Sequence, residues 1–211
     1  DKDARQQTAA QMIGWAVGGL FFGVVGDRWG RVKTLSASIL VYSLFTGLCG
    51  LALTGWDFCL YRFLMGCGIG GAFAAAATLI AETMPEHSRS TCLGLFSALS
   101  VLGNMIGLAI GSQVFAPAKL YFEGVFGSEG VPGWRLAFFV GTIPALLVVL
   151  VLQTLRESER WQQARKTAAE NLERQLGDMS SMFRHPRWRT NTIVAGCLAT
   201  AGIVGVWGVA F

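Results

Sequence analysis

Asp27, Arg28, Arg31 and Lys33 lie together in the stretch GVVGDRWGRVKTL (Gly23–Leu35), between two long apolar runs. Asp27 and Arg31 are four residues apart, so on a helical path they can form an ion pair. Gly23, Gly26 and Gly30 permit a tight turn and close approach of backbones. Spacing alone leaves two readings open, a solvated basic loop or a charge pair with a conformational role. Arg62 poses a second problem, because it sits within an apolar run. An arginine at mid-depth in a bilayer costs at least ~2.5–3.5 kcal/mol and so needs a partner or a wet cavity. Asp57 lies five residues before it, off the i+3/i+4 face, and Glu82 lies twenty residues later, ~30 Å along a helix. Either Arg62 snorkels to nearby headgroups or its counter-anion comes from elsewhere. Hydrolytic chemistry has no basis here. His87 and His185 are the only histidines, and no Ser-His-Asp set, HExxH or phosphate loop accompanies them.

The elements that must carry these residues follow from composition. The 211 residues are 53% hydrophobic and 14% charged, against roughly 25% charged in an average soluble domain. An all-α polytopic membrane protein is the expected class. Six apolar stretches reach the ~20 residues that a spanning helix needs. They are Thr8–Val25, Thr34–Leu53, Phe58–Ala81, Thr91–Phe115, Trp134–Leu152 and Asn191–Phe211. Gly55, Pro85, Pro117 and Pro132-Gly133 mark breaks between them, and Pro144 should kink the fifth. The five cysteines show no CxxC and read as small packing residues, so neither a metal nor a cofactor is expected.

Lys and Arg alternate by connection. The first, third and fifth connections hold Arg28, Arg31 and Lys33, then Arg89, then eight arginines and lysines from Arg156 to Arg189. The second has none and the fourth only Lys119. The positive-inside rule therefore places residues 26–34, 84–90 and 153–189 in the cytoplasm. The net charge of +4 sets orientation, with no need for nucleic acid as a partner. The same rule puts the N-terminal DKDARQQTAA outside, although no secretory segment precedes it. The expectation is a fragment that lacks one preceding helix and continues beyond Phe211. In the 153–189 connection, Trp161, Ala164, Ala168, Leu172 and Leu176 recur at helical spacing. That pattern fits an amphipathic helix on the membrane face, with a solvated linker as the alternative.

Four motifs in order then carry a family resemblance. GVVGDRWGR resembles the loop signature of the major facilitator superfamily, a glycine, three residues, then D-R-x-G-R. RFLMGCGIGG, with Arg62, Gly66, Gly68 and Gly70, resembles its fourth-helix R-x-x-x-G-x-G-x-G pattern. AETMPEHSRS resembles E-x-x-P-x-x-x-R, placing Glu82 and Arg89. GWRLAFFVGTIPALL followed by RESERW is similar to the sixth helix and P-E-S-P-R-W tail of sugar porters and related metabolite symporters. Departures are visible too. Arg156 and Glu159 replace the tail's prolines, Val32 stands where a basic residue often follows the signature's arginine, and Ser97 stands where sugar porters carry a glutamine. The ending CLATAGIVGVWGVAF looks more like organic-acid and aromatic-acid symporters.

The resemblance implies a secondary transporter in which two six-helix bundles rock about a central site. Residues 1–152 would form helices 2–6 of the first bundle, 153–189 a cytoplasmic linker, and 190–211 the first helix of the second bundle. It implies that Asp27, Arg31 and Glu82 form a cytoplasmic charge cluster that latches one conformation, with Arg28, Arg89, Glu157 and Arg160 beside it. Arg62 and Ser97 become candidates for coupling or substrate contact. The partner of Arg62 would be an acid on the preceding helix or a substrate carboxylate. Gly23, Gly30, Gly66, Gly68 and Gly70 become helix-packing glycines, and Gly103, Gly107 and Gly111 read as a further packing ridge. The expected substrate is a small polar metabolite, organic acid or sugar-like, carried with protons through the plasma membrane. A membrane receptor or structural subunit is the alternative.

Overall fold

A computed structural model describes residues 2–110, 133–170, 189–194, 196–198 and 201. The sixth apolar stretch and the connection after residue 110 lie largely outside these residues. α1 (Lys2–Trp29), α2 (Arg31–Leu51), α3 (Gly55–Thr83) and α4 (Glu86–Ile110) follow one another closely. α5 (Gly133–Val140) passes through a 3₁₀ turn at Ile143–Leu146 into α6 (Leu147–Thr154), and α7 is Glu159–Glu170. Five segments are long and apolar enough to cross a bilayer: Arg5–Trp29, Arg31–Leu51, Gly55–Thr83, Glu86–Ile110 and Ala137–Thr154. The protein is an all-α, multi-pass integral membrane protein.

The breaks have local causes. Gly30 alone separates α1 from α2, and its φ of 110° is one that side-chain-bearing residues rarely adopt. The expected loop of residues 26–34 is therefore one residue long, and Asp27 and Arg31 belong to the helices themselves. Thr54 opens α3 through a capping box in which its hydroxyl accepts from the Asp57 N–H and Asp57 Oδ2 accepts from the Thr54 N–H. Pro144 falls in the 3₁₀ turn that interrupts α5–α6, which is the expected kink.

α3 runs along both α1 and α2, and α2 also packs on the α5–α6 segment. The α1–α3 seam is built from glycines. A Cβ at Gly14 or Gly18 would overlap the backbone of Phe63 or Cys67, and one at Gly66 or Gly70 would overlap that of Gln11 or Trp15. Each helix thus inserts two glycines into the other, which brings the backbones together where lipid supplies no hydrophobic drive. Gly68 faces the other way, onto Ser38 and Tyr42 of α2. Leu35, Ile39, Ala75 and Val148 form a small buried core where α2, α3 and α6 meet. α4 stands at the edge, touching α3 through Phe73 and Phe96 with ring centroids 5.0 Å apart.

Three of the expected packing positions differ. Nothing among the described residues lies within 4 Å of a Cβ at Gly23. Gly23 is five residues beyond Gly18, about 140° around the helix and off the seam. Gly103 and Gly107 also face open space, because α4 turns that face away from the described helices. Gly111 lies outside the described residues.

Candidate functional site

Charged side chains converge at the end of the bundle where α1 stops and α2 begins. Because Gly30 has no side chain, α2 starts without a side-chain cap of its own. Its first N–H groups need acceptors from elsewhere. Glu157 supplies them from the segment between α6 and α7. Its Oε2 accepts the Arg31 N–H at 2.7 Å and the Val32 N–H at 3.2 Å, and its Oε1 accepts the Lys33 N–H at 3.3 Å. A carboxylate here also meets the positive end of the α2 dipole. The fit requires glycine at position 30, since a Cβ there would overlap the Glu157 carboxylate.

The Arg31 side chain completes the arrangement. Its Nη1 lies 2.6 Å from Asp27 Oδ1. Its Nε and Nη2 both donate to Glu82 Oε1, at 3.1 and 2.9 Å. Glu82 Oε2 accepts the Ser158 hydroxyl, and Ser158 Oγ in turn accepts the Trp161 N–H at 3.1 Å, capping α7. The Trp161 indole N–H closes the circuit by donating to the Asp27 carbonyl at 2.8 Å. Asp27, Arg31, Glu82, Ser158 and Trp161 thus form a ring that ties α1, α2, α3 and the start of α7 together. Arg31 and Glu82 are only 13% and 17% exposed, so the pair is shielded from screening by salt.

At the other end, α3 carries Arg62 between α1 and α5. Its Nη1 donates to Gln11 Oε1 at 2.8 Å. Its guanidinium carbon lies 5.0 Å from the centroid of the Phe58 ring and 5.2 Å from that of Phe138. Such placement attracts a cation to the ring faces. Nε is buried without a hydrogen-bond partner, and among the described residues no carboxylate pairs with Arg62. Among the described residues the guanidinium is therefore held in place but not neutralised.

A family model described as Major Facilitator Superfamily matches residues 6–211. The chain belongs to the major facilitator superfamily. Among curated relatives, it is 31% identical to the sialic acid transporter NanX of Escherichia coli (strain K12), over 84% of this chain and 39% of that protein. It is 31% identical to the cis,cis-muconate transport protein of Acinetobacter baylyi, over 94% of this chain and 45% of that protein. Among solved structures, the proton:xylose symporter XylE bound to 6-bromo-6-deoxy-D-glucose aligns with a TM-score of 0.60 and 26% identity, covering 75% of this chain and 36% of that one. The chain spans less than half the length of these relatives. They are transporters of the superfamily, not enzymes.

Arg89 lies in the first turn of α4, and its buried Nε and Nη2 have no hydrogen-bond partner among the described residues. Arg28 is exposed at the last turn of α1. Arg160 is exposed on α7. Ser97 is exposed on α4 and bonds its own helix, its hydroxyl donating to the Leu93 carbonyl at 3.0 Å. It is therefore not brought to Arg62. Gln11, Phe58 and Phe138 surround Arg62 without having been singled out in the sequence. Glu157 meets the α2 backbone rather than a cationic side chain, and Trp161 spends its N–H on α1. The Gly14-xxx-Gly18 spacing was the sequence signal for the missed half of the glycine seam.

Proposed function

We propose that this chain is most of the first bundle of a two-bundle, proton-coupled secondary transporter of small organic acids, with residues 190–211 opening the second bundle. The observation that carries this reading is Arg62: a half-buried guanidinium held by one amide and two aromatic rings, with no acid beside it among the described residues. A positioned cation of this kind binds a carboxylate through its forked donors. The Phe58 and Phe138 rings would favour an unsaturated or aromatic acid beside it. Relatives named for sialic acid, cis,cis-muconate and benzoate transport agree with a carboxylate substrate. XylE, named as a proton:xylose symporter, makes proton coupling a reasonable companion. In this reading the Arg31 ring is a cytoplasmic latch that holds one conformation and opens when the bundles rock, in the plasma membrane.

The test is uptake by the full-length transporter in proteoliposomes, comparing carboxylic acids with sugars of similar size under an imposed proton gradient. Carboxylate uptake driven by the gradient is expected, and Arg62→Lys, which keeps charge but loses the fork, should reduce it at least about tenfold. Uptake of sugars alone, or unchanged uptake and affinity in both Arg62→Lys and Arg62→Ala, overturns the assignment and leaves Arg62 as a snorkelling side chain.

A further inference from the structure

Beside the ring, and sharing Trp161 with it, the described residues form a basic recess. It lies between the first turn of α2 and α7, has a volume of about 510 Å³, and is lined by Lys33, Glu157, Trp161, Gln162, Arg165 and Lys166. We infer that this recess binds the phosphodiester headgroup of an anionic phospholipid.

Three side chains in the lining are cationic and one is acidic. The acid is already engaged, because both oxygens of Glu157 accept main-chain N–H groups of α2. Its charge is met in part by the helix N-terminus, and three cations stand against this single acid. The recess therefore presents net positive charge to an incoming anion. Part of it is preformed: the Arg165 guanidinium carbon lies 5.3 Å from the Trp161 ring centroid, and Trp161 is itself fixed to Asp27 and Ser158. Lys166 follows Arg165 on the same helix, and Lys33 approaches from α2.

Depth selects the ligand. α2 begins its span at Arg31, α6 ends at Thr154, and α7 starts five residues later. The recess thus sits at the membrane–water boundary, where phospholipid phosphates lie. α6, which leads to it, exposes Leu150 and Leu152, and Leu155 just past its end is exposed too, as a surface for acyl chains. Basic pockets at this level bind anionic headgroups by charge and hydrogen bonding. A free phosphate offers the same chemistry without the chains.

The full-length transporter is extracted from vesicles of equimolar phosphatidylglycerol and phosphatidylcholine, and the retained lipids are counted by native mass spectrometry. Preferential retention of phosphatidylglycerol is expected. The triple variant Lys33→Gln, Arg165→Gln, Lys166→Gln should lower that retention at least about tenfold. All three side chains are exposed, and Trp161, which loses the Arg165 guanidinium from its ring face, stays fixed by Asp27 and Ser158. Equal retention of the two lipids, or unchanged retention in the triple variant, overturns the inference. Complete displacement of phosphatidylglycerol by millimolar inorganic phosphate also overturns it, and points to a free-anion site instead. Because the readout is bound lipid, a failure of transport leaves it unaffected.

Discussion

Arg31 and Arg62 both sit on membrane-spanning helices, and the chain treats them in opposite ways. Arg31 is met by two carboxylates, and its own backbone N–H is held by a third. Arg62 receives one amide oxygen and two ring faces. Among the described residues, the first site is complete and the second is short of an anion. A buried charge with its counter-charges stabilises a state, whereas one without them is set up for something that arrives. The latch and the binding site proposed above are thereby separable, although both depend on an arginine.

The sharpest way to break this comparison is to remove each arginine in turn and measure thermal unfolding of the full-length protein in detergent. Arg31→Ala strands Glu82 as a shielded carboxylate with only a hydroxyl beside it, and should cost about 3 kcal/mol. Arg62→Met replaces an under-satisfied charge by an apolar chain of similar length, and should leave stability unchanged or raise it, while uptake is lost. Equal destabilisation by the two substitutions removes the distinction. A smaller effect sharpens it. A double-mutant cycle between Arg31→Ala and Glu82→Gln should show a coupling of about 2 kcal/mol, against about 1 kcal/mol or less for Arg62 and Gln11. Coupling of the same size at both sites makes Gln11 a full structural partner. The smallest change comes from the cap. Glu157→Gln keeps an acceptor at the start of α2 but removes the charge, and should lower stability by about 1 kcal/mol. No change in the melting point would leave Glu157 as a spectator of that helix.

What could be read from the sequence depended on whether a residue's partner was of a kind that sequence reasoning weighs. Asp27 and Arg31 were visible from their four-residue spacing, and Glu82 through the motif resemblance and its place at the end of the third apolar stretch. The apolar stretches gave the helices, and Pro144 gave the interruption in α5–α6. Gln11 was not visible as the partner of Arg62, because a neutral amide 51 positions away carries no charge signal. Glu157 could be seen as an acid near a basic cluster, but its partners are backbone N–H groups, which every residue except proline has. A helix that starts after a bare glycine was the available hint. Gly23 and Gly103 misled for a geometric reason: small residues pack only on the face that meets a neighbour, and that face is set by the crossing of two helices.

The cap on α2 also says something about the order in which the protein can be made. Arg31 and Glu157 are 126 positions apart in the chain. During synthesis from the N-terminus, α2 therefore leaves the ribosome and enters the bilayer long before its acceptor exists. Until Glu157 emerges, the first turn of α2 has only water or headgroups to satisfy it, and Gly30 is free to sample other conformations. The ring around Arg31 then closes in a single late step, since Glu157, Ser158 and Trp161 arrive within five residues of one another. Until those residues emerge, this end of the nascent bundle has only the ion pairs of Arg31 with Asp27 and Glu82 to hold it.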